Sequence, residues 1–346
     1  MQMTFRWYNR DDTIPLSYIA QIPYVQGIVS AVYDVPVGEV WDEARIFALK
    51  SEIEAAGLAF EVVESVPVHE DIKRGAPPRD RLIENYCKTI ENLGRAGVKV
   101  VCYNFMPVFD WLRSDLAHRL PDGSTCLAYS AEQLARFDPA KGGLSLPGWD
   151  ESYTPDGLRA LLDAYSGVDE EQLWENLIYF LRGIMPACER AGVKMAIHPD
   201  DPPWGMFGLP RIITGQAALT RLIDAVDSPC NSVTLCLGSL GSGADNDLAA
   251  ITRMLVQRDK VAFVHARNVK LTGPDSFTET AHKSACGRVD MVEIFRILHE
   301  GGFDGYVRPD HGRNIWGEDG RPGYGLYDRA LGAAYLSGII ETIERG

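Results

Sequence analysis

Short runs of apolar and β-branched residues alternate with longer amphipathic segments along the whole chain. Strands and helices differ in hydrophobic period and in length, so this pattern separates them. It predicts strands at residues 27–35, 58–65, 98–105, 193–199, 231–238, 261–268, 276–282 and 305–310. It predicts helices at residues 39–56, 79–96, 169–191, 214–227, 244–257, 289–300 and 326–344.

Several predicted helices end in glycine just before the next strand, as in RAGVKV at 95–100 and RAGVKM at 190–195. Glycine adopts the left-handed conformation that ends a helix, so the repeated unit is a helix stop followed by a strand. Eight such units typically close into an α/β barrel, and the absence of a GxGxxG turn after the first predicted strand disfavours a dinucleotide-binding sheet. We therefore predict a single (β/α)8 TIM-barrel domain over residues 1–346, in which the polar strand 276–282 is the least typical.

Residues 107–168 interrupt the alternation, between the third predicted strand and its helix. The segment contains Trp111, Trp149, several glycines and prolines, and a short helical stretch at 130–138. Connections of this length are uncommon in compact domains and are usually functional. We predict an insertion over the barrel mouth that serves as a lid or a subunit contact.

The active site of a TIM barrel lies at the carboxyl ends of its strands. Four predicted strands carry metal-binding side chains at that end, namely His198, Cys236, His265 and Asp310. Imidazole, thiolate and carboxylate groups together suit a divalent transition metal ion. One such residue near a strand end is more often part of the packed core, whereas four at one end of a barrel predict a metal site.

Two further residues are candidates for proton transfer. His311 directly follows Asp310, and histidine side chains titrate near neutral pH. Tyr324 lies in a glycine-rich stretch after the last strand, where it could close over a substrate as an acid or lie on the surface.

Three polar residues are candidates for substrate binding. Arg267 shares a strand face with His265, so it could pair with a substrate carboxylate or, equally, form an ion pair at the barrel rim. Asn104 ends the third predicted strand and could orient a hydroxyl group. His69 follows the second predicted strand and lies either at the mouth or on the surface.

Composition narrows the partners. The chain has 34 Lys and Arg against 48 Asp and Glu, a net charge of −14, which disfavours a nucleic-acid partner. We find no apolar run of about 18 residues and no signal peptide, so we expect a cytoplasmic protein without a membrane partner. Seven widely spaced cysteines without a CxxC pair disfavour both a disulfide framework and a zinc knuckle.

Six stretches of unusual sequence span nearly the whole chain: MTFRWYNRDDTIPLSYIAQIPYVQGIVSAVYDVPVGEVW (3–41), FEVVESVPVHEDIKRG (60–75), VVCYNFMPVFDWLRSDL (100–116), IHPDDPPW (197–204), FVHARNVK (263–270) and VRPDHGR (307–313). They resemble the bacterial mannonate dehydratases, a metal-dependent family with a xylose-isomerase-like barrel. The resemblance implies loss of water from D-mannonate to give 2-dehydro-3-deoxy-D-gluconate in hexuronate breakdown, with Mn²⁺ or Fe²⁺. It also implies metal ligands at His198, Cys236, His265 and Asp310, and proton transfer by His311 and Tyr324.

Two alternatives stay open at this point. The same barrel could serve a metal-dependent sugar isomerase or epimerase, although those sites commonly use carboxylates where this chain has His and Cys. It could also be a non-catalytic sugar-acid binding protein, against which the paired acid and base argue.

We further expect a homo-oligomer, in simplest form a dimer. Because a charge of −14 repels an anionic substrate, the mouth must be locally cationic through the metal with Arg267, Arg308 or Arg313.

Overall fold

Within residues 1–136 and 154–346, which the computed structural model describes, eight parallel strands form a closed barrel. The barrel strands, in chain order, are β1 (Gln2–Arg6), β2 (Gly27–Ser30), β3 (Ala59–Glu64), β4 (Val100–Tyr103), β7 (Lys194–Ile197), β8 (Asn231–Cys236), β9 (Val261–Ala266) and β12 (Tyr306–Pro309). Each pairs in parallel with its neighbours, and β1 closes the ring between β2 and β12. The predicted TIM barrel is confirmed.

Helices separate most of these strands along the chain. They are α1 (Leu16–Ile19), α2 (Glu43–Ala55), α3 (Glu70–Lys73), α4 (Arg79–Arg95), α5 (Ala131–Leu134), α6 (Pro155–Ala164), α7 (Glu170–Ala191), α8 (Gln216–Ala225), α9 (Leu237–Ser242), α10 (Leu248–Gln257), α11 (Met291–Glu300) and α12 (Leu326–Arg345). Aspartate side chains cap the amino ends of α2, α7, α10 and α11. Gly192 ends α7 in the left-handed conformation, with φ of 66°, as the glycine at the end of the predicted helix indicated.

The assignment of individual barrel strands needs two corrections. The first barrel strand is Gln2–Arg6, which the pattern missed, so the strand counted third is the fourth. Thr4 and Arg6 are buried in β1, and such polar residues hide a short strand from a search for apolar runs. The predicted seventh strand is real, but it is β11 (Ser276–Thr280) and lies outside the barrel.

A second, antiparallel sheet lies against the carboxyl ends of the barrel strands. It contains β5 (Asp115–Arg119), β6 (Thr125–Ser130), β10 (Asn268–Gly273) and β11, in the order β10-β11-β6-β5. An isolated bridge between Trp111 and Asp201 joins its leading segment to the loop after β7. The sheet combines part of the predicted insertion with the hairpin that follows β9.

The role of the insertion as a lid or a subunit contact stays a prediction. Trp149 and the last two residues of the predicted helical stretch 130–138 lie outside the described residues.

The interior of the barrel is apolar toward the amino ends of the strands and polar toward their carboxyl ends. Among the buried side chains that pack inside are Val62, Val100 and Phe263. Toward the carboxyl ends, Cys236, His265, Arg308 and Asp310 are buried. Among the described residues, no helix is both long and apolar enough to cross a bilayer.

Candidate active site at the carboxyl ends of the barrel strands

The four predicted metal ligands come together at the end of four strands. His198 follows β7, Cys236 ends β8, and His265 lies in β9, with one ligand atom of each within 4.8 Å of the others. Asp310 follows β12, and its Oδ2 lies 3.9 Å from both Cys236 Sγ and His265 Nδ1. The geometry therefore gathers two imidazoles, a thiol and a carboxylate from different strands.

The surroundings of these groups favour the charged forms of Cys236 and Asp310. Burial raises the pKa of Cys236, but His198 and Arg267 more than reverse this and hold it well below its usual range. Burial also raises the pKa of Asp310, and the neighbouring Arg308 leads the charges that hold it well below normal. Since a metal binds thiolate and not thiol, the cluster presents the form of Cys236 that a cation needs.

Each of the two imidazoles has an oxygen atom beside one ring nitrogen. His198 Nδ1 lies 2.6 Å from the Pro199 carbonyl oxygen, which leaves Nε2 to face the cluster. His265 Nε2 is buried without a hydrogen-bond partner among the described residues, although Glu64 Oε2 is 3.3 Å away. Metal-binding histidines usually have such a carbonyl or carboxylate at the second ring nitrogen. The donor set of two imidazoles, a thiolate and a carboxylate fits a divalent transition metal ion.

A second group of potential ligands, Glu64, Cys102 and His265, shares one residue with the first. Burial raises the pKa of Cys102 well above its usual value, so this side chain stays a thiol. The first group is therefore the better cation site.

His311 and Tyr324 form a hydrogen-bonded pair beside the cluster. Tyr324 Oη lies 3.0 Å from His311 Nε2, and both side chains are buried. The Trp111 ring packs against both, with its centroid 4.6 Å from that of His311. Burial raises the pKa of Tyr324 well above its usual value, so the phenol keeps its proton. The pair can supply one proton acceptor and one donor at the same place.

Gly323 explains why the glycine-rich stretch can bring Tyr324 to this position. It has φ of +79°, and a Cβ there would lie 2.5 Å from Leu127 Cδ1 in the second sheet. Only glycine satisfies both constraints without strain. The alternative of an exposed Tyr324 does not match its 5% exposure.

A buried ion-pair network, Arg113, Asp201, Arg267 and Glu279, lies between the barrel and the second sheet. Arg113 donates to Asp201 at 2.8 and 3.0 Å and to Glu279 at 2.7 and 3.0 Å. Arg267 donates to Asp201 at 2.7 Å and to Glu279 at 2.6 Å. Glu279 also contacts His311 Nδ1, at 2.9 and 3.0 Å. The network therefore reaches the His311–Tyr324 pair.

The predicted substrate-binding residues occupy three different environments. Arg267 uses both terminal nitrogens within the ion-pair network, so its contacts are those of the rim ion-pair alternative. Asn104 Oδ1 accepts from the Met106 amide at 3.3 Å. His69 caps α3, where its Nδ1 accepts from the Asp71 amide at 3.0 Å.

Arg308, one of the cations expected at the mouth, is buried at the strand ends. It is 1% exposed and pairs through Nη2 with Glu64 and with Asp310, the latter at 2.8 Å. Its Nε and Nη1 have no hydrogen-bond partner among the described residues. Buried unpaired donors are rare and need an explanation, and an anionic ligand group would satisfy them. Arg313 is instead paired with Asp328.

Glu279 is the functional candidate that the sequence reasoning missed. Within the predicted strand 276–282, Phe277 and Glu279 share one face by the period of two, and both are buried. A glutamate on the apolar face of a strand was a usable signal, because buried carboxylates need partners. Those partners come from distant parts of the chain, which the sequence does not connect.

The comparisons with known proteins agree along the whole chain. The family model described as D-mannonate dehydratase (UxuA) matches residues 1–346. A mannonate dehydratase of Streptococcus agalactiae serotype III is 57% identical over 346 residues, covering 100% of this chain and 99% of that protein. One of Streptococcus uberis is 58% identical over 343 residues, covering 99% of each.

Solved structures give the same picture. The crystal structure of mannonate dehydratase from Streptococcus suis serotype 2 superposes with a TM-score of 0.94 at 52% identity, covering 100% of this chain and 95% of that one. A xylose isomerase-like TIM barrel protein from Mycobacterium smegmatis superposes with a TM-score of 0.58 at 14% identity, covering 96% and 90%. The second match shows a shared fold only.

Proposed function

The chain belongs to the D-mannonate dehydratase family, and we propose how its site eliminates water from D-mannonate. The reaction is that of a carbon–oxygen lyase and gives 2-dehydro-3-deoxy-D-gluconate. The observation that carries the mechanism is the position of the His311–Tyr324 pair beside the four potential metal ligands. An acid–base pair next to a cation site suits removal of a proton and a hydroxyl group from neighbouring carbons.

We propose that His198, Cys236, His265 and Asp310 hold Mn²⁺ or Fe²⁺. The support is the mixed nitrogen, sulfur and oxygen donor set and the lowered pKa values of Cys236 and Asp310. A bound divalent cation stabilises the negative charge that develops when a proton leaves the carbon beside a carboxylate. The four side chains would hold the cation at the carboxyl ends of the strands, beside His311.

Within the pair, we assign the base to His311 and the acid to Tyr324. His311 Nε2 accepts the proton on carbon 2 of the substrate, and Tyr324 donates its phenol proton to the hydroxyl leaving carbon 3. The carbon–hydrogen and carbon–oxygen bonds break, water departs, and the resulting enol converts to the 2-keto acid. The raised pKa of Tyr324 supports this assignment because a protonated phenol is a donor at neutral pH.

We propose that Arg308 receives the substrate carboxylate through its unpaired Nε and Nη1. Its burial supports this role, since a charged hydrogen bond strengthens where water is excluded. Arg267, Asn104 and His69 stay predictions for substrate contact. The Trp111 ring, packed on His311 and Tyr324, limits the access of water to the reacting atoms.

A product assay tests the reaction. We expect purified protein loaded with Mn²⁺ to form a 2-keto-3-deoxy acid from D-mannonate, detected by a colorimetric keto-acid reaction. The same protein treated with a chelator serves as the control and should lose this activity. An epimerised hexonate without keto acid, or no product at all, would reject the proposal in favour of an epimerase or a binding protein.

We also propose a homodimer in the cytoplasm. All seven cysteines are free thiols, as expected in a reducing compartment. Trp316 is 75% exposed and packs on Tyr327, which shares an exposed face of α12 with Leu331. Light scattering should give twice the chain mass of 38.3 kDa, and a monomer mass would reject the dimer.

A further inference from the structure

His311 Nδ1 contacts both oxygens of Glu279, at 2.9 Å from Oε1 and 3.0 Å from Oε2. Oε1 also accepts from Arg113 Nε and Nη2 and from Arg267 Nη1, at 2.6 to 3.0 Å. Arg267 Nη1 is farther from His311 Nδ1, at 3.4 Å. Glu279 comes from β11 in the second sheet, whereas His311 follows the last barrel strand. The carboxylate therefore joins a residue of the barrel mouth to an element outside the barrel.

We propose that Glu279 is a positioning residue that selects the His311 tautomer with the proton on Nδ1. A carboxylate without a proton can only accept, so His311 Nδ1 must donate to it. A neutral imidazole carries a single ring proton, so Nε2 is left with its lone pair facing Tyr324 Oη. This inference rests on the proposed function, in which His311 Nε2 is the base.

Charge neighbours keep Glu279 ionised in its buried position. Burial raises the pKa of Glu279, but the cationic form of His311, with Arg267 and Arg113, more than offsets this and lowers it to about 2. When His311 is neutral, the two arginines remain, with N–H groups 2.6 to 3.0 Å from Oε1. The side chain is therefore an acceptor throughout the neutral range. The same two arginines hold Oε1, so the carboxylate is not free to rotate away from His311.

The selected tautomer also closes the proton cycle. After elimination, His311 carries the proton taken from carbon 2, and Tyr324 is a phenolate. The proton on Nε2 can pass to Oη across their 3.0 Å hydrogen bond, which restores both groups. Throughout this transfer, the Nδ1 proton stays on His311 and remains hydrogen-bonded to Glu279. The opposite neutral tautomer would place a proton on Nε2 and remove the base.

Glu279→Gln tests the proposal because the amide is forced into one orientation. Three arginine donors require the amide oxygen at the Oε1 position, so the NH₂ group takes the Oε2 position, 3.0 Å from His311 Nδ1. Nδ1 then faces an amide donor as well as an acceptor, so the variant no longer selects the tautomer with the proton on Nδ1. We expect kcat to fall by roughly 10²–10⁴-fold with KM within about threefold of wild type.

Asp201→Asn is the matched control. It removes the same charge from the same ion-pair network, and among the described residues the side chain of Asp201 accepts from Arg113, Arg267 and Ser239 and not from His311. We expect its kcat to stay within about tenfold of wild type, and Glu279→Asp to recover part of the activity lost in Glu279→Gln. Equal losses of kcat in Asp201→Asn and Glu279→Gln would mean a structural role only and would overturn the proposal.

¹⁵N NMR identifies the ring nitrogen of His311 that carries the proton, and the measurement needs no catalytic turnover. The chain has seven histidines, so ¹⁵N-histidine labelling gives few signals, and His311→Ala identifies the one concerned. With Zn²⁺ as a diamagnetic ion, wild type should show His311 protonated at Nδ1, and Glu279→Gln should lose that preference. Protonation at Nε2 in wild type overturns the proposal even if the variant fails to fold. Absence of keto acid from wild type instead rejects the proposed function, and the NMR result still tests the tautomer.

Discussion

Cys236 and Cys102 are both buried thiols at the carboxyl half of barrel strands, yet their neighbours differ. Cys236 lies 3.6 Å from Arg267 Nη2 and has a lowered pKa, whereas burial raises the pKa of Cys102. The same residue type therefore favours opposite protonation states on β8 and on β4, which β7 separates in the barrel. Position relative to cations, and not cysteine as such, decides which thiol can bind a metal.

Cys236→Ser should therefore lose the metal, and Cys102→Ser should keep it. A serine hydroxyl stays neutral and is a much weaker ligand than a thiolate for a transition metal. We expect elemental analysis of dialysed protein to give a stoichiometry near zero for Cys236→Ser and near one for Cys102→Ser, with unchanged circular dichroism. Metal retained in Cys236→Ser but lost in Cys102→Ser would assign the site to the group around Glu64.

Tyr324→Phe removes the phenol and leaves the ring packing on Trp111 and Tyr8. If Tyr324 is the acid, kcat should fall by roughly 10²–10⁴-fold, with little change in KM. Metal content serves as the control, because the phenol is not among the four ligands. Wild-type kcat in this variant would exclude Tyr324 as the acid and leave water as the donor.

At the scale of elements, the short helix α9 packs its backbone against the ion-pair network. A Cβ on Gly238 would lie 2.3 Å from Arg267 Nε and 2.7 Å from its Cζ. Arg267 is fixed by its two carboxylate partners and cannot move aside. The second residue after Cys236 must therefore be glycine.

Gly238→Ala should accordingly destabilise the protein by about 1–3 kcal/mol, through overpacking of a site that cannot relax. Gly338→Ala in α12 is the matched control, because nothing lies within 4 Å of a Cβ at that exposed position. It should stabilise the helix by roughly 0.5–1 kcal/mol. Urea unfolding of both variants measures the difference, and a Gly238→Ala variant as stable as wild type would contradict the packing argument.

Local pattern predicted the helices closely and the strands less well. The predicted helix 169–191 is Glu170–Ala191, capped by Asp169, and 289–300 is Met291–Glu300, capped by Asp290, because amphipathic period and caps are local signals. β1 escaped because a buried arginine and threonine break its apolar run. β11 was placed in the barrel because its residues resemble a strand, and its partners β6 and β10 depend on contacts distant in sequence.

The residues of the candidate site likewise fall into those that the sequence predicted and those that it did not. His198, Cys236, His265 and Asp310 were predictable because each ends a strand, and a closed barrel brings strand ends together. The ion-pair network was not predictable, since Arg113 and Glu279 are 166 residues apart and pair across two sheets. The sequence left open whether Arg267 pairs with a substrate carboxylate or with carboxylates of the chain. The fold shows that Glu279 and Asp201 pair with it.

At the scale of the whole molecule, the ion-pair network joins the barrel to the second sheet. Asp201 and Arg267 belong to loops after barrel strands, while Glu279 lies in β11 and Arg113 just precedes β5. These side chains are at most 2% exposed, so screening by solvent is weak. Removal of one buried partner leaves an uncompensated charge, which makes the junction sensitive to protonation.

Acid should therefore weaken the molecule through Glu279. Its pKa is about 2 in the folded state against an ordinary 4.5, so its contribution to stability is complete above the unfolded pKa. As pH falls from 4.5 toward 2 that contribution is lost, and about 2 kcal/mol of it should be gone by pH 3 at 1.36 kcal/mol per pKa unit. Glu279→Gln cannot titrate and should lose correspondingly less stability between pH 6 and pH 3.

Urea unfolding at the two pH values measures this difference, and an exposed carboxylate gives the control. Glu171 pairs with Arg221 on the surface, where solvent screens the interaction, so Glu171→Gln should follow the wild-type pH dependence. If the free energies of unfolding of wild type and Glu279→Gln fall in parallel from pH 6 to pH 3, Glu279 is not ionised at the junction. The network would then hold the two sheets together by neutral hydrogen bonds, and the tautomer of His311 would lose its electrostatic basis.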